Sequence, residues 1–158
     1  MTNPCWIDRS LLDEISRAAV DSARRRRNHN FHSHDDAICH RLLNAVEPDS
    51  YIPPHRHLDA SKDEAMIILR GRLGVVFFDV EGNIASTAVL QPGGETVAVN
   101  IPHGVFHSVL GLEEGVVFFE AKAGPYRPLS AEEKAPWAPA EDAPDAAAYY
   151  RRLRRLFA

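Results

Sequence analysis

Two separated groups of residues in this chain have the types and spacing of metal ligands. His55 and His57 flank a single residue, Glu64 follows them, and His107 ends the segment Pro102-His103-Gly104-Val105-Phe106-His107. Side chains alternate along a β-strand, so two histidines that are two positions apart point to the same face. A carboxylate and a third imidazole from neighbouring strands would complete one site. The sequence therefore predicts a mononuclear metal centre formed by His55, His57, Glu64 and His107.

These residue types define the chemistry of the ion without identifying it. Imidazole and carboxylate ligands suit divalent Fe, Zn, Mn or Ni. Four protein ligands leave two positions open on an octahedral ion, which allows catalysis. On a tetrahedral ion the same ligands close the coordination shell, and catalysis is disfavoured. A metalloenzyme and a non-catalytic metal-dependent binding protein are thus both open at this point.

The loop before Glu64 leaves one ligand less certain than the others. Six residues separate His57 from Glu64, and the loop contains two further carboxylates, Asp59 and Asp63, which are rival ligands. Gly71 lies seven residues beyond Glu64, where the predicted strand ends.

Turn residues divide the central part of the chain into many short apolar segments. This pattern is typical of an all-β sandwich or barrel. We predict one domain over residues 1–158, in which 1–37 form an N-terminal helix and arm, 38–123 the barrel, and 124–158 a C-terminal tail and short helix.

The two predicted helices flank the barrel. Ser10 and Asp13 resemble a capping box, and the apolar residues that follow recur at helical spacing. The predicted helix runs into four arginines at 24–27, which suit a helix C-terminus. Residues 145–157 predict a short amphipathic helix with Tyr149, Leu153 and Leu156 on one side.

Composition limits the class of protein. The chain has 158 residues, a formal net charge of −4 and two cysteines. Mild acidity gives no indication of nucleic-acid or membrane binding, and no apolar stretch approaches the ~20 residues that span a bilayer. The first residues lack a secretory signal pattern. We therefore expect a cytoplasmic protein with no nucleic-acid partner and no membrane partner.

Three residues near the end of the last predicted strand are candidate catalytic residues. Glu120 and Lys122 share strand parity, so both side chains can face the barrel interior. Lys122 and the nearby Tyr126 could bind an anionic or hydroxyl-rich ligand. A purely structural ion pair that fixes the strand end explains Glu120 and Lys122 equally well.

Arginines 24–27, with His32, are candidates for substrate binding. If this segment folds over the barrel mouth, Arg27 and His32 could hold a phosphate, for example of a nucleotide sugar, since arginine binds phosphate in a bidentate manner. A solvated helix end is the competing interpretation of the arginine run.

The ligand motifs resemble those of the cupins. The patterns H-x-H, E-x6-G and P-x-G-x-x-H look like the two cupin motifs, although the loop before Glu64 is longer than is typical. The resemblance implies a double-stranded β-helix, or jelly roll, in which His55, His57, Glu64 and His107 bind one divalent metal ion. It also implies a homodimer, because cupins often pair.

Further segments narrow the resemblance to one group. The chain is similar to the WbuC family of cupin-fold metalloproteins over roughly residues 25–142. The segments that carry this likeness are Arg41-Leu42-Leu43-Asn44, Tyr51 with Pro54-His55-Arg56-His57, Gly124-Pro125-Tyr126 and Ala135-Pro136-Trp137-Ala138-Pro139. Members are associated with surface polysaccharide (O-antigen) biosynthesis. The resemblance implies the fold and the metal but no particular substrate, and we expect a sugar or small polar metabolite as ligand.

Overall fold

A computed structural model describes residues 3–158, which form eight β-strands and two α-helices in that range. The helices are α1 (Arg9–Val20) and α2 (Ala146–Arg154), and a 3-10 turn, Arg155–Phe157, continues α2. The strands are β1 (Arg26–Asn30), β2 (Cys39–Val46), β3 (Glu64–Arg70), β4 (Leu73–Phe78), β5 (Ile84–Leu90), β6 (Ala98–Ile101), β7 (Phe106–Gly111) and β8 (Val116–Ala123).

The strands form two antiparallel sheets that enclose the core. One sheet has the order β1-β2-β8-β3-β6 and the other has the order β5-β4-β7. Both sheets contribute buried apolar side chains to one cluster, among them Ile68 and Phe118 from the first sheet and Val75 and Val109 from the second. This layering of sheets whose strands cross over in sequence is the predicted jelly roll, and the prediction of an all-β barrel with two flanking helices is confirmed.

The segment that bears His55 joins the smaller sheet. His55 forms β-bridges with His107 of β7 on one side and with Lys134 of the C-terminal tail on the other. The backbone N–H groups of His55 and His107 each donate to the other residue's carbonyl, at 3.1 and 2.9 Å. Backbone pairing therefore holds two predicted metal ligands side by side.

The N-terminal region differs from the sequence prediction in two ways. Asp8 caps α1, since its side chain accepts a hydrogen bond from the Leu11 N–H, so Ser10 and Asp13 do not form the predicted cap. The helix ends at Val20, and the arginine run enters β1, which pairs with β2. The larger sheet thus begins inside the segment that we predicted as helix and arm. The polar sequence of β1 hides this strand because it is an edge strand, and most of its residues are exposed.

The C-terminal region packs across the outside of the smaller sheet. Leu153 of α2 is fully buried in a cluster with Val76, Leu110 and Tyr150. Trp137 packs against Phe78 in a tilted arrangement and against Phe106 edge to face, so it attaches the irregular tail to the barrel. Leu156, predicted on the apolar side of this helix, is instead exposed. Across residues 3–158, neither helix has the length and apolar character needed to cross a membrane.

Candidate metal centre

The structure brings the four predicted metal ligands together. One ligand atom from each of His55, His57 and Glu64 lies within 4.8 Å of the other two. His107 Nε2 lies 2.7 Å from Glu64 Oε1, and the ring centroids of His55 and His107 are 4.7 Å apart. Glu64 and His107 are each 2% exposed. Their burial separates the group from ordinary surface clusters of acidic and imidazole side chains.

The imidazole hydrogen bonds define which nitrogen faces the centre. The Nδ1 atoms of His55 and His107 lie 3.0 and 2.9 Å from the carbonyl oxygens of Pro53 and Val105. A carbonyl can only accept, so each Nδ1 carries the proton and each Nε2 offers its lone pair. Burial, reinforced by His107, lowers the pKa of His55 to about 3, so this imidazole is neutral at ordinary pH. This is the form in which histidine binds a metal ion.

Three buried atoms at the centre lack a hydrogen-bond partner. They are His57 Nε2, His107 Nε2 and Glu64 Oε1. Leaving a buried polar atom unpaired costs about 1–3 kcal/mol, so three together in one place require an explanation. A lone-pair nitrogen 2.7 Å from a carboxylate oxygen is repulsive unless a proton or a metal cation lies between them. The residues present therefore fit a bound divalent cation.

The loop before Glu64 folds as a compact turn in which both rival carboxylates, Asp59 and Asp63, already form hydrogen bonds. Asp59 accepts from the Ser61 N–H and hydroxyl, and Lys62 N–H donates to the Asp59 carbonyl. Asp63 lies 2.8 Å from His103 Nδ1 and accepts from the His103 N–H. Asp59 and Asp63 therefore stabilise the loop and its contact with the turn before β7. Glu64 begins β3 and is the carboxylate that points into the barrel.

Glycines shape the turns on either side of the site. Gly71 ends β3 with φ +78°, and a Cβ there would lie 2.9 Å from Val116 Cγ2. Gly104 has φ +82° and donates its N–H to the His57 carbonyl at 2.6 Å. This left-handed conformation favours glycine over residues with a Cβ. The two motifs are therefore joined directly, through the backbone, next to the ligands.

One carboxylate near the centre was not singled out in the sequence. Glu133, in the C-terminal tail, places Oε1 3.9 Å from His57 Nδ1. Its carboxylate accepts from the backbone N–H groups of Leu58 and Ser130, at 3.1 and 2.9 Å. The Ser130 bond is the main cause of a lowered pKa for Glu133, and it outweighs the opposing effect of partial burial. The tail has no periodic pattern, so the sequence carries no local signal for this contact.

Glu120 and Lys122 lie beside the centre, as their strand parity predicted. Lys122 Nζ lies 2.6 Å from Glu120 Oε1 and 3.5 Å from Glu64 Oε2. Burial would lower the pKa of Lys122, but the charges of Glu120 and Glu64 raise it above its ordinary value. Burial would also raise the pKa of Glu64, yet its contacts with His107 and His57 hold it well below its ordinary value. The centre thus has two carboxylates and one ammonium group.

A cavity of about 310 Å³ opens from the metal ligands into the barrel. Three of the four ligand side chains line it: His55, Glu64 and His107. The rest of the lining combines polar and apolar side chains. The polar ones include Asn28, Asn44, Glu120 and Lys122, and the apolar ones are Ile52, Met66, Val109 and Phe118. The cavity therefore offers both kinds of contact to a small molecule.

The predicted substrate-binding residues lie in different places. Arg27 borders the cavity, but it pairs with Ala45, whose side chain packs under α1, so strand alternation directs Arg27 to that outer face. His32 stacks on His40 in a separate cleft of about 340 Å³. Tyr126, which is half exposed, borders that cleft and a smaller one that reaches His55 and His57. Lys122 lines the cavity and both clefts.

The cavity mouth carries the other arginines of the run. Arg24 and Arg26 line the cavity and both contact Glu141 of the tail, each at 2.7 Å. Partial burial would raise the pKa of Glu141, but the bonds from Arg26 and Arg24 outweigh it and lower the value to about 2. Arg24 and Arg26 are thus paired with the protein's own carboxylate rather than solvated at a free helix end.

We expect this contact to make stability depend on pH in the acidic range. Glu141 has a folded-state pKa below its usual value of 4.5, so its contribution is complete above about pH 4.5 and is lost as pH falls toward 2. Allowing for solvent screening, the loss is about 1 kcal/mol. Urea unfolding between pH 5 and 2.5 should show that Glu141→Gln is less stable than wild type at pH 5. The difference should shrink as the pH falls. Asp142→Asn, one position along and exposed, should follow the wild-type curve.

Comparison with solved structures supports the fold. KdgF from Halomonas sp. is similar with a TM-score of 0.50 and 17% identity, over 65% of this chain and 82% of that chain. The conserved protein SPY1581 of unknown function from Streptococcus pyogenes is similar with a TM-score of 0.52 and 11% identity, over 80% of this chain and 93% of that chain. A cupin superfamily protein from Desulfitobacterium hafniense has a TM-score of 0.48 and 13% identity, over 62% of this chain and 76% of that chain. At these identities the likeness concerns the fold. No curated protein matches the chain.

One family model matches the sequence directly. It covers residues 7–90, which span α1 to β5 and include His55, His57 and Glu64, and it ends before His107. The matched region is more than half of the chain. The chain therefore belongs to the family described as "Domain of unknown function (DUF6016)".

Proposed function

We propose that this protein is a mononuclear divalent-metal protein with His55, His57, Glu64 and His107 as ligands. The observation that carries the proposal is the convergence of buried, unpartnered Nε2 and Oε atoms at one point. Hydrogen bonds from the far nitrogens of His55 and His107 support it, because such bonds orient metal-binding imidazoles. The ligand types suit Fe, Zn, Mn or Ni.

We further propose that the cavity beside the centre binds a sugar or another small polar metabolite. Its lining offers amide, carboxylate and ammonium groups that pair with hydroxyl groups, together with apolar side chains that can pack against a ring. The volume suits a single sugar ring. If the ligand is a nucleotide sugar, its remaining part would extend toward Arg24 and Arg26 at the mouth.

A bound divalent ion would act as a Lewis acid toward an oxygen of this ligand. Lys122 can donate a hydrogen bond or proton at Nζ, and Glu120 can accept one at its carboxylate. Tyr126 borders the smaller cleft beside His55 and His57, where it can contact a ligand from the outside. The presence of these proton-donating and proton-accepting side chains favours an enzyme. A protein that binds a carbohydrate at the metal without converting it is the alternative, and turnover of a bound ligand distinguishes the two.

The biological setting is a proposal from likeness. We propose that the chain is a WbuC-type protein that acts in the cytoplasm in surface polysaccharide biosynthesis. Two of the segments that carry this likeness lie near the proposed centre or support the tail. Pro125 and Tyr126 border the cleft at His55 and His57, and Trp137 packs the tail onto the barrel.

We also propose a homodimer. Ile67 of β3 and Val97, just before the edge strand β6, are both exposed apolar side chains on the larger sheet's side of the barrel. Sedimentation equilibrium should give twice the mass of the chain. A monomer at micromolar concentration would contradict the proposal.

Metal titration of chelator-stripped protein tests the proposed function. We expect one equivalent of Fe(II), Mn(II), Ni(II) or Zn(II) to bind, and Glu64→Gln to lower the affinity at least about tenfold, the lower limit for a supporting group outside the ligand shell. Asp63→Asn is the matched control, since Asp63 is adjacent and contacts His103 instead. No binding by wild type, or equal losses in the two variants, would contradict the assignment.

A further inference from the structure

The C-terminal tail forms backbone hydrogen bonds with the segment that bears His55 and His57. The Arg56 N–H donates to the Glu133 carbonyl at 2.9 Å, and the Ala135 N–H donates to the Pro54 carbonyl at 3.1 Å. Together with the His55–Lys134 bridge, these bonds make the tail a short partner strand for the ligand segment. The ligand segment is thus held between β7 and the tail.

The three imidazoles differ in what supports their far nitrogen. For His55 and His107 this nitrogen donates to a backbone carbonyl of the same segment, two residues earlier. For His57 the facing group is the Glu133 carboxylate, and the distance from Nδ1 to Oε1 is 3.9 Å. A shift of about 1 Å would bring the two atoms within hydrogen-bond distance. His57 Nε2, on the opposite side of the ring, is buried and unpartnered at the centre.

We propose that Glu133 is a positioning residue for the metal centre, which accepts the Nδ1–H of His57 and directs Nε2 toward the metal. This inference rests on the proposed metal-binding function. Carboxylates in this position fix the tautomer and orientation of a ligating imidazole and increase its basicity. The backbone bonds from Leu58 and Ser130 hold the Glu133 carboxylate in place beside the His57 ring, so the accepting group is positioned by the protein itself.

A merely structural role for Glu133 must be distinguished from positioning. The same two backbone bonds could be the residue's whole purpose, since they join the tail to the loop after His57. A structural role predicts a loss that does not depend on the His57 imidazole. Positioning predicts a loss that disappears when that imidazole is absent.

The test uses the full-length protein and Co²⁺ as the probe. Competition with a chromophoric chelator gives the affinity, and the visible spectrum of bound Co²⁺ reports the coordination geometry. We expect Glu133→Gln to weaken binding about 10–100-fold and to change the spectrum. Glu132→Gln is the matched control, because Glu132 is exposed and its carbonyl, rather than its side chain, accepts a bond from Arg56. It should bind within about twofold of wild type.

A double-mutant cycle decides the mechanism of any loss. In a His57→Ala background, Glu133→Gln should change the Co²⁺ affinity by less than about twofold, since coupled residues are non-additive. An equal loss with and without His57 would overturn the positioning role, even if the variant is less stable. Wild-type affinity in Glu133→Gln would also overturn it and leave the metal centre standing. Absence of Co²⁺ binding by wild type would overturn the metal centre itself.

Discussion

The His107→Ala variant is expected to lose metal binding almost completely, with an affinity at least about 100-fold below wild type, the upper limit for losing a supporting group outside the ligand shell. His107 is buried, holds its Nε2 beside Glu64, and is fixed by backbone bonds to His55. Alanine removes the third imidazole and with it one of the four proposed ligands. Equilibrium dialysis with elemental analysis of the retained metal measures the loss.

The matched control is His103→Ala, which removes an imidazole four residues earlier in the same motif. The His103 side chain is 43% exposed and contacts Asp63, so this variant should retain wild-type metal content. His107→Gln serves as a second variant that fills the space left by the ring. Normal metal content in both His107 variants would show that the centre has been assigned to the wrong residues.

The His107→Ala variant should also lose the increase in thermal stability that bound metal gives to wild type. A ligand at 1,000 times its dissociation constant stabilises the folded state by about 4 kcal/mol. For a chain of this size that is roughly 8–16 °C in melting temperature. Wild type and His103→Ala should show this increase when metal is added after chelation. His107→Ala should melt at nearly the same temperature with and without metal.

The Leu153→Ala variant is expected to lose about 3–5 kcal/mol of folding free energy. Leu153 is 0% exposed and lies in a cluster built from β4, β7 and the C-terminal region. Removing its three terminal carbons leaves a cavity between α2 and the sheet, which close packing on both sides prevents from collapsing. Urea unfolding followed by circular dichroism measures the change.

Leu156→Ala makes the same chemical change three residues later. Leu156 is 38% exposed, so its loss should cost less than about 1 kcal/mol. Equal effects of the two substitutions would mean that α2 does not pack on the barrel through Leu153. The comparison therefore tests the placement of the C-terminal helix independently of the metal.

Much of the site followed from the sequence because strand alternation is a strict rule. Strand alternation predicts that His55 and His57 share one face, and the resemblance to the cupin motifs adds His107 from a neighbouring strand. Glu64 was less secure because a loop length does not reveal which carboxylate it presents. In the structure, Asp59 and Asp63 both form hydrogen bonds in the loop region, and a carboxylate oxygen of Glu64 lies close to ring nitrogens of His55 and His57. Glu120 and Lys122 were found by the same parity rule.

Other features of the structure could not be predicted from the sequence, because the residues that form them are far apart along the chain. Strand β1 consists of polar residues, and only its pairing with β2 identifies it. The contact of Glu141 with Arg24 and Arg26 joins the two ends of the chain. Arg27 borders the cavity, and the register of β1 places it opposite Ala45. Each of these features depends on tertiary packing, which local pattern does not encode.

The position of β8 has a consequence for how the protein is made. In the larger sheet β8 lies between β2 and β3, although it is the last strand in the chain. While the ribosome is still synthesising residues before Val116, neither β2 nor β3 has its partner on that side. Their unpaired edges are then available to other chains. Slow translation or stalling in the region before β8 should therefore favour aggregation, and the barrel can close around its metal ligands only after β8 has left the ribosome.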